Sequence, residues 1–398
     1  MRRFLFACFI ALTVLTGLIL SAQESRAQRL TSEAYPDSCA VDEELFNLTL
    51  AQLMEIDITE DRPGWFGTQL EQMEAEPYLH GYAAAVYRDF DLNRGRQVST
   101  FDLHYFNVIA GVNIDDKIVA EVLLEYEHGG DDLGVRYGIL DYKLAGLAIL
   151  RFGKFLVPMG RFNEFLSTEY ANKLPDRPLC LWNIVPIVWA ESGVQVRGSY
   201  EFIHGRSINY SAYIVNGLEQ SANADGSVAD GGDIRKMRGN NRDSNHDNKA
   251  RGGRIGLKPR QDTEISASYY TGAYTVDGKQ NLDIWDLAFD CRRGDLTMRG
   301  EYVGGAQETS GDDLMKRGFY GEVAYRVSSN FEAVGRYGQV DLDDGSGRDI
   351  KRSTFGLIIY PPPANHPLSN FKISQSFAHD DGKGGHPHEF VIQYVIGF

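Results

Sequence analysis

From Tyr78 to its end the chain repeats one pattern: runs of about ten residues in which apolar and polar side chains alternate, separated by clusters of Gly, Asp, Asn and Ser. A period of two is that of an extended strand, because successive Cβ atoms point to opposite faces. Strands of soluble sheets are usually five or six residues long, whereas about ten tilted residues cross the apolar thickness of a bilayer. The third run is the clearest: Ile118, Ala120, Val122, Leu124 and Tyr126 share one face, and Glu121, Glu125 and Glu127 share the other. A charge on a lipid-facing wall is costly, so confinement of charge to one parity marks a water-facing lumen.

The same division recurs along the chain. Val194, Val196 and Tyr200 oppose Gln195 and Arg197; Ile255 and Leu257 oppose Arg254 and Lys258; Leu296, Met298 and Tyr302 oppose Thr297, Arg299 and Glu301. Later, Phe319, Val323 and Tyr325 oppose Glu322 and Arg326, and Phe331, Ala333 and Tyr337 oppose Glu332 and Arg336. The runs fall at 78–90, 99–112, 117–128, 134–144, 147–156, 191–201, 207–216, 250–259, 264–275, 280–291, 295–303, 317–327, 331–341, 353–360, 369–377 and 389–398. About sixteen strands is an even number, which returns both chain ends to one side of a closed barrel. Connections alternate accordingly, with tight turns such as Ala145-Gly146 and Gln261-Asp262 on one side. Long loops at 157–190, 217–249, 304–316, 342–352 and 378–388 lie on the other. The expected fold class is all-β, a transmembrane antiparallel barrel over 77–398.

Ahead of the barrel, Met1, Arg2 and Arg3 precede an apolar run, and Ser25-Arg26-Ala27 offers a small-x-small cleavage site, so residues 1–27 read as a signal peptide. Residues 28–76, weakly helical around Leu45, Leu48 and Leu53 and broken at Arg62-Pro63-Gly64, read as a periplasmic or plugging segment. No later stretch reaches the ~18 apolar residues of a membrane-crossing helix. A net charge of −15 leaves no basic face for nucleic acid. Cys39, Cys180 and Cys291 remain after cleavage; topology alone puts Cys39 nearest Cys291.

No cofactor or metal is expected. Asp243-Ser244-Asn245-His246-Asp247 has alternating oxygen ligands but lacks the glycine and closing glutamate of a calcium loop. His386-Pro387-His388 with Asp380-Asp381 has no nucleophile motif attached, so no enzyme is expected either. Acidic pairs in the outer loops, including Asp131-Asp132 and Asp312-Asp313, suit divalent cations that bridge lipopolysaccharide. At the end of the chain, Phe390, Ile392, Tyr394, Ile396 and Phe398 alternate with Glu389, Gln393 and Gly397. A last strand closing on an aromatic carboxyl terminus is the expected signal for the barrel assembly machinery, with Phe398 as its key residue.

Three stretches carry a family resemblance: RFGKFLVPMGRFNE at 151–164, IVPIVWAESGVQVRG at 184–198 and SAYIVNGLE at 211–219. On these the chain resembles the phosphate-selective porins O and P in their broad sense. The resemblance implies a sixteen-stranded channel in the outer membrane of a Gram-negative bacterium, usually a homotrimer, with the loop after the fifth strand folded inward to narrow the pore. Here that loop is 157–190, and its candidate constriction residues are Arg161, Glu164, Glu169, Lys173, Asp176 and Arg177. Candidate lumen residues are Glu121, Glu125, Arg197, Arg254, Arg299, Glu301, Glu322 and Arg336. The family's anion-selective members line the path with Arg and Lys, whereas this lumen is mixed, which puts phosphate specificity in doubt. The function expected is passive diffusion of small hydrophilic solutes, anions such as phosphate among them. A partly plugged receptor barrel and a non-conducting structural barrel are the alternatives.

Overall fold

A computed structural model describes residues 75–398 apart from 93–95, 131, 146–147, 204, 221–233, 239–247, 343–348, 362–368 and 381–387. The expected signal peptide, all but the last two positions of the 28–76 segment, Cys39, the Asp243 to Asp247 stretch and His386 lie outside the described residues.

The chain forms sixteen strands: β1 (Glu76–Leu92), β2 (Arg96–Asn113), β3 (Ile118–Glu127), β4 (Asp132–Ala145), β5 (Ala148–Leu156), β6 (Ala190–Ile203), β7 (Arg206–Val215) and β8 (Ala250–Arg260). The second half is β9 (Thr263–Ala273), β10 (Asn281–Arg293), β11 (Leu296–Gln307), β12 (Leu314–Arg326), β13 (Phe331–Asp341), β14 (Asp349–Ile359), β15 (Asn370–Asp380) and β16 (His388–Gly397). Each pairs antiparallel with its sequence neighbours, and β1 pairs with β16, so the sheet is a closed barrel with no free edge. Closure gives both sides of each strand a partner within the wall, which is what a strand needs in lipid.

The expected strand order and count match the structure; several boundaries do not. The 304–316 loop is mostly strand, since β11 runs to Gln307 and β12 begins at Leu314, and β14 begins at Asp349 inside the expected 342–352 loop. The physical reason is that strands continue past the apolar band into water, where both faces are polar and alternation stops while backbone pairing does not.

The outward parity carries large exposed apolar side chains around the ring, among them Phe101 at 84% exposure, Ile255, Leu287, Val323, Tyr325 and Phe355. On a water-soluble protein such a belt would drive aggregation; against lipid it is the favourable surface. At the seam, Gly81 and Phe398 exchange backbone hydrogen bonds of 2.8 and 2.9 Å, and the Phe398 ring lies against Gly81 and 5.7 Å from Phe106.

The apolar core lies inside the barrel. Between β5 and β6 the chain turns into the lumen, and Met159, Phe162, Cys180, Leu181, Ile184 and Trp189 pack on Tyr213, Tyr270, Ile284, Val303, Tyr320 and Val340 of the inner wall. A short helix, α1 (Leu179–Ile184), rests there on β11, β12 and β13. Gly318 and Gly356 on the inner wall leave the space that Cys180 and Leu174 fill; any side chain at either glycine would collide with the loop.

Candidate functional site

The loop of residues 157–189 enters the lumen through a closed neck. Val157 N–H donates to the Trp189 carbonyl at 3.0 Å. Asn163 fastens the same point from within, donating to the Val157 and Trp189 carbonyls at 2.8 and 2.9 Å and accepting from Trp189 N–H at 2.8 Å. Gly160 then turns the chain with φ +63°, a left-handed value that glycine adopts without steric cost. Its N–H donates to Ser268 Oγ at 3.0 Å, its carbonyl accepts from Arg254 Nε at 3.0 Å, and its Cα stands against the Glu301 and Asp286 carboxyl groups.

All six charged loop positions singled out in the sequence are held by named partners. Arg161 donates to Glu264 at 2.9 Å and lies 3.4 Å from Asp290. Glu164 accepts from Arg197 at 2.8 Å. Lys173 donates to both oxygens of Glu332 at 2.8 Å, and Tyr360 completes that carboxylate with a 2.5 Å hydrogen bond. Asp176 lies 3.6 Å from Arg336 and 3.4 Å from Arg352 and accepts from Thr354 at 3.1 Å. Glu169 and Arg177 pair with each other at 3.6 Å, and Arg177 also donates to the Tyr105 hydroxyl at 2.7 Å.

The wall residues chosen by parity are largely the other halves of these bonds. Arg197 and Glu332 have just been placed. Arg336 donates to Glu322 at 2.6 Å, to Asn172 at 2.9 Å and to the Asp176 carbonyl at 2.7 Å. Arg254 pairs with Glu264 and donates to Asn209 at 2.6 Å. Arg299 lies 3.0 Å from Asp290 and 3.7 Å from Glu322. Glu301 accepts from Phe162 N–H at 2.8 Å and Tyr320 at 3.1 Å. Away from the loop, Glu121 accepts from Tyr78 and Tyr137 at 2.6 and 2.8 Å, and Glu125 pairs with Arg136.

Several participants were not singled out from sequence: Glu264, Asp286, Asp290, Arg136, Arg352 and Lys372. Lys372 is fully buried and donates to the Asn172 carbonyl at 2.7 Å and to the Glu169 carbonyl. A signal for the β10 pair was present, because the inward parity of this strand reads Leu282, Ile284, Asp286, Ala288, Asp290. Such mixing marks a wall that is part covered by protein and part open to water.

Two cavities flank the loop. On the side of the long loops, one of about 470 Å³ is lined by Arg136, Lys154, Arg177, Arg235, Lys236 and Arg238 against Glu125 and Glu127. On the side of the chain termini, one of about 400 Å³ is lined by Arg161, Lys173, Lys258, Arg292, Arg299 and Lys372 against Asp262, Glu264 and Asp290. Both are rich in cations.

Cys180 on α1 and Cys291 on β10 are free thiols, and burial pushes the Cys180 thiol pKa up. Among the described residues no group of three or more His, Cys, Asp or Glu side chains is placed to hold a metal ion.

A family model described as phosphate-selective porin O and P matches residues 120–390. An uncharacterised protein of Aquifex aeolicus (strain VF5) is 25% identical, over 72% of this chain and 77% of that one. Among solved structures, the anion-selective porin from Comamonas acidovorans superposes with a TM-score of 0.59 at 11% identity, covering 82% of this chain and all of that one. The trimer form of the outer-membrane protein OmpT of Vibrio cholerae gives 0.51 at 11% identity, covering 81% of this chain and 99% of that one. At such identities these two structures speak to the fold alone.

Proposed function

Given that this chain belongs to the phosphate-selective porin O and P family and is a sixteen-stranded outer-membrane porin, we propose that it passes small hydrophilic anions by passive diffusion. One observation carries the anion reading: a chain of net charge −15 surrounds its inward loop with two cavities in each of which cationic side chains outnumber carboxylates. A narrow path with low-dielectric walls focuses the local field, so the lining charge and not the total charge sets which ions concentrate there. Among the described residues no continuous ladder of Arg and Lys accompanies this, and the favoured solute is accordingly an anion in general rather than phosphate in particular.

In this reading Arg161, Glu164, Glu169, Lys173, Asp176 and Arg177 fix the position of the constriction, and Lys154, Arg235, Lys236 and Arg238 present charge at its outer mouth. Residues 1–27 direct export, 28–76 remain on the periplasmic side or partly occlude the pore, and Phe398 signals to the assembly machinery. The working assembly is a homotrimer, a reading supported by the trimeric form of the similarly folded OmpT. Lipopolysaccharide surrounds its outer rim.

Single-channel conductance of the refolded mature protein in a planar bilayer, with the reversal potential taken under a potassium chloride gradient, tests the proposal. Stepwise openings with an anion-signed potential are expected. A cation-signed potential overturns the selectivity. Silence from a barrel whose folding is shown by heat-shifted gel mobility overturns the channel in favour of a plugged receptor or a structural barrel.

A further inference from the structure

The loop buries most of its large apolar side chains: Phe162, Leu166, Leu174 and Leu181 are all 6% exposed or less. Three rings are left out, Phe165 at 41%, Tyr170 at 38% and Trp182 at 38%; Arg177 and Arg235 cover the Trp182 ring, whereas Phe165 and Tyr170 line the same 400 Å³ cavity on the terminal side of the loop. A single exposed ring on a protein surface is ordinary. Two in one cavity make a wall of defined chemistry. Each exposed ring also costs hydration free energy in proportion to its apolar area.

Among the charged groups of that cavity, six cations face the carboxylates of Asp262, Glu264 and Asp290. The Arg161 and Arg254 guanidinium carbons lie 5.3 and 5.5 Å from the Phe165 ring centroid, within reach of the ring's quadrupole. Tyr170 is braced edge-on by Tyr82 with ring centroids 5.2 Å apart. Across the cavity, Lys258 keeps 40% of its side chain exposed and stands 3.8 Å from Glu264, while the exposed Arg292 has no carboxylate partner among the described residues.

Aromatic faces and uncompensated cation in one space select for a solute that carries both halves. A small hydrated oxyanion gains nothing from ring faces and loses water to them. A flat organic acid gains at both ends, its carboxylate toward Arg292 and Lys258 and its body against Phe165 and Tyr170. The volume lies in the range of pockets that take small organic ligands.

Resting on the channel reading above, we propose that the preferred solute is an aromatic or similarly flat organic carboxylate, held in transit at the Phe165, Tyr170, Lys258 and Arg292 cavity.

The test is interruption of chloride current through the refolded channel by benzoate, by acetate and by inorganic phosphate. Benzoate is expected to interrupt the current at a concentration about tenfold below either of the others, the factor that roughly 1.4 kcal/mol of ring contact supplies. Phe165→Ser with Tyr170→Ser is expected to bring benzoate and acetate to equality, and Phe165→Tyr with Tyr170→Phe to keep them apart. Arg292→Gln with Lys258→Gln is expected to weaken all three. Equal action of benzoate and acetate on the unaltered channel overturns the proposal, as does strongest action by phosphate. Absence of any chloride current from a folded barrel overturns the channel reading itself, a distinct result.

Discussion

Arg336 ties its own strand, β13, to two other segments through one guanidinium: to β12 at Glu322, and to the inward loop at Asn172 and Asp176. Buried charge is tolerable only when paired, and removing one partner strands the others. Arg336→Met should therefore destabilise the folded barrel by about 3–5 kcal/mol, read as a lower urea midpoint of the heat-shifted band. Arg336→Lys should recover only part of the loss, because a single ammonium cannot serve a fork of acceptors. Lys173 makes a second prediction. Burial holds its pKa below that of an ordinary lysine, with the hydrogen bond to Glu332 opposing the shift. The unfolded chain thus binds the proton more tightly, and this group's contribution to stability rises as pH climbs from its lowered pKa toward the ordinary lysine value. In the proposed anion path, the charge lost over that window is one of the cations that line the cavity on the side of the chain termini. Anion preference, measured as reversal potential, should begin to fall at a lower pH than free lysines titrate, and Lys173→Arg should remove that early fall. Residue identities at this scale were partly legible: the six loop charges and three of their wall partners, Arg197, Glu332 and Arg336, stand out by position and parity, whereas Glu264, Asp290 and Arg352 do not. Which bonded to which was not, because pairing across 103 residues, as between Arg161 and Glu264, is set by how the loop folds back and leaves no trace in local spacing.

At the scale of elements, alternation revealed the strands because lipid on one side and water on the other impose a period of two. It says less where the inward loop covers the wall, since there both faces of a strand meet apolar matter, and Ile284, Val303 and Val340 face inward without breaking any rule. The loop's length and position were legible; its seat was not, since that depends on absences, the missing side chains at Gly318 and Gly356. Gly160 is the point to probe. A methyl group there would meet the Glu301 and Asp286 carboxyls on a backbone with φ +63°. Gly160→Ala should cost about 1–3 kcal/mol and lift the loop from its seat, seen as larger and noisier single-channel steps. Unchanged step size would show that the loop does not set the aperture.

For the whole molecule, closure and net charge lead to separate expectations. If the basic lining sets selectivity, the preference should shrink between 0.1 and 1 M salt, as the screening length falls from about 10 to 3 Å. A preference independent of salt would point instead to sieving by size. The loop also has a consequence that has nothing to do with solutes. Its bonds run to Tyr105 on β2 and Asp290 on β10, which stand opposite one another in a ring of sixteen. They run equally to Arg197 on β6 and Arg352 on β14, the perpendicular diameter. A thin-walled hoop set in a membrane is squeezed from its flanks and flattens easily unless something spans it. Two crossed spokes, joined through a close-packed hub that resists compression, should hold such a hoop round, so that a segment crossing the bore would also brace it against collapse.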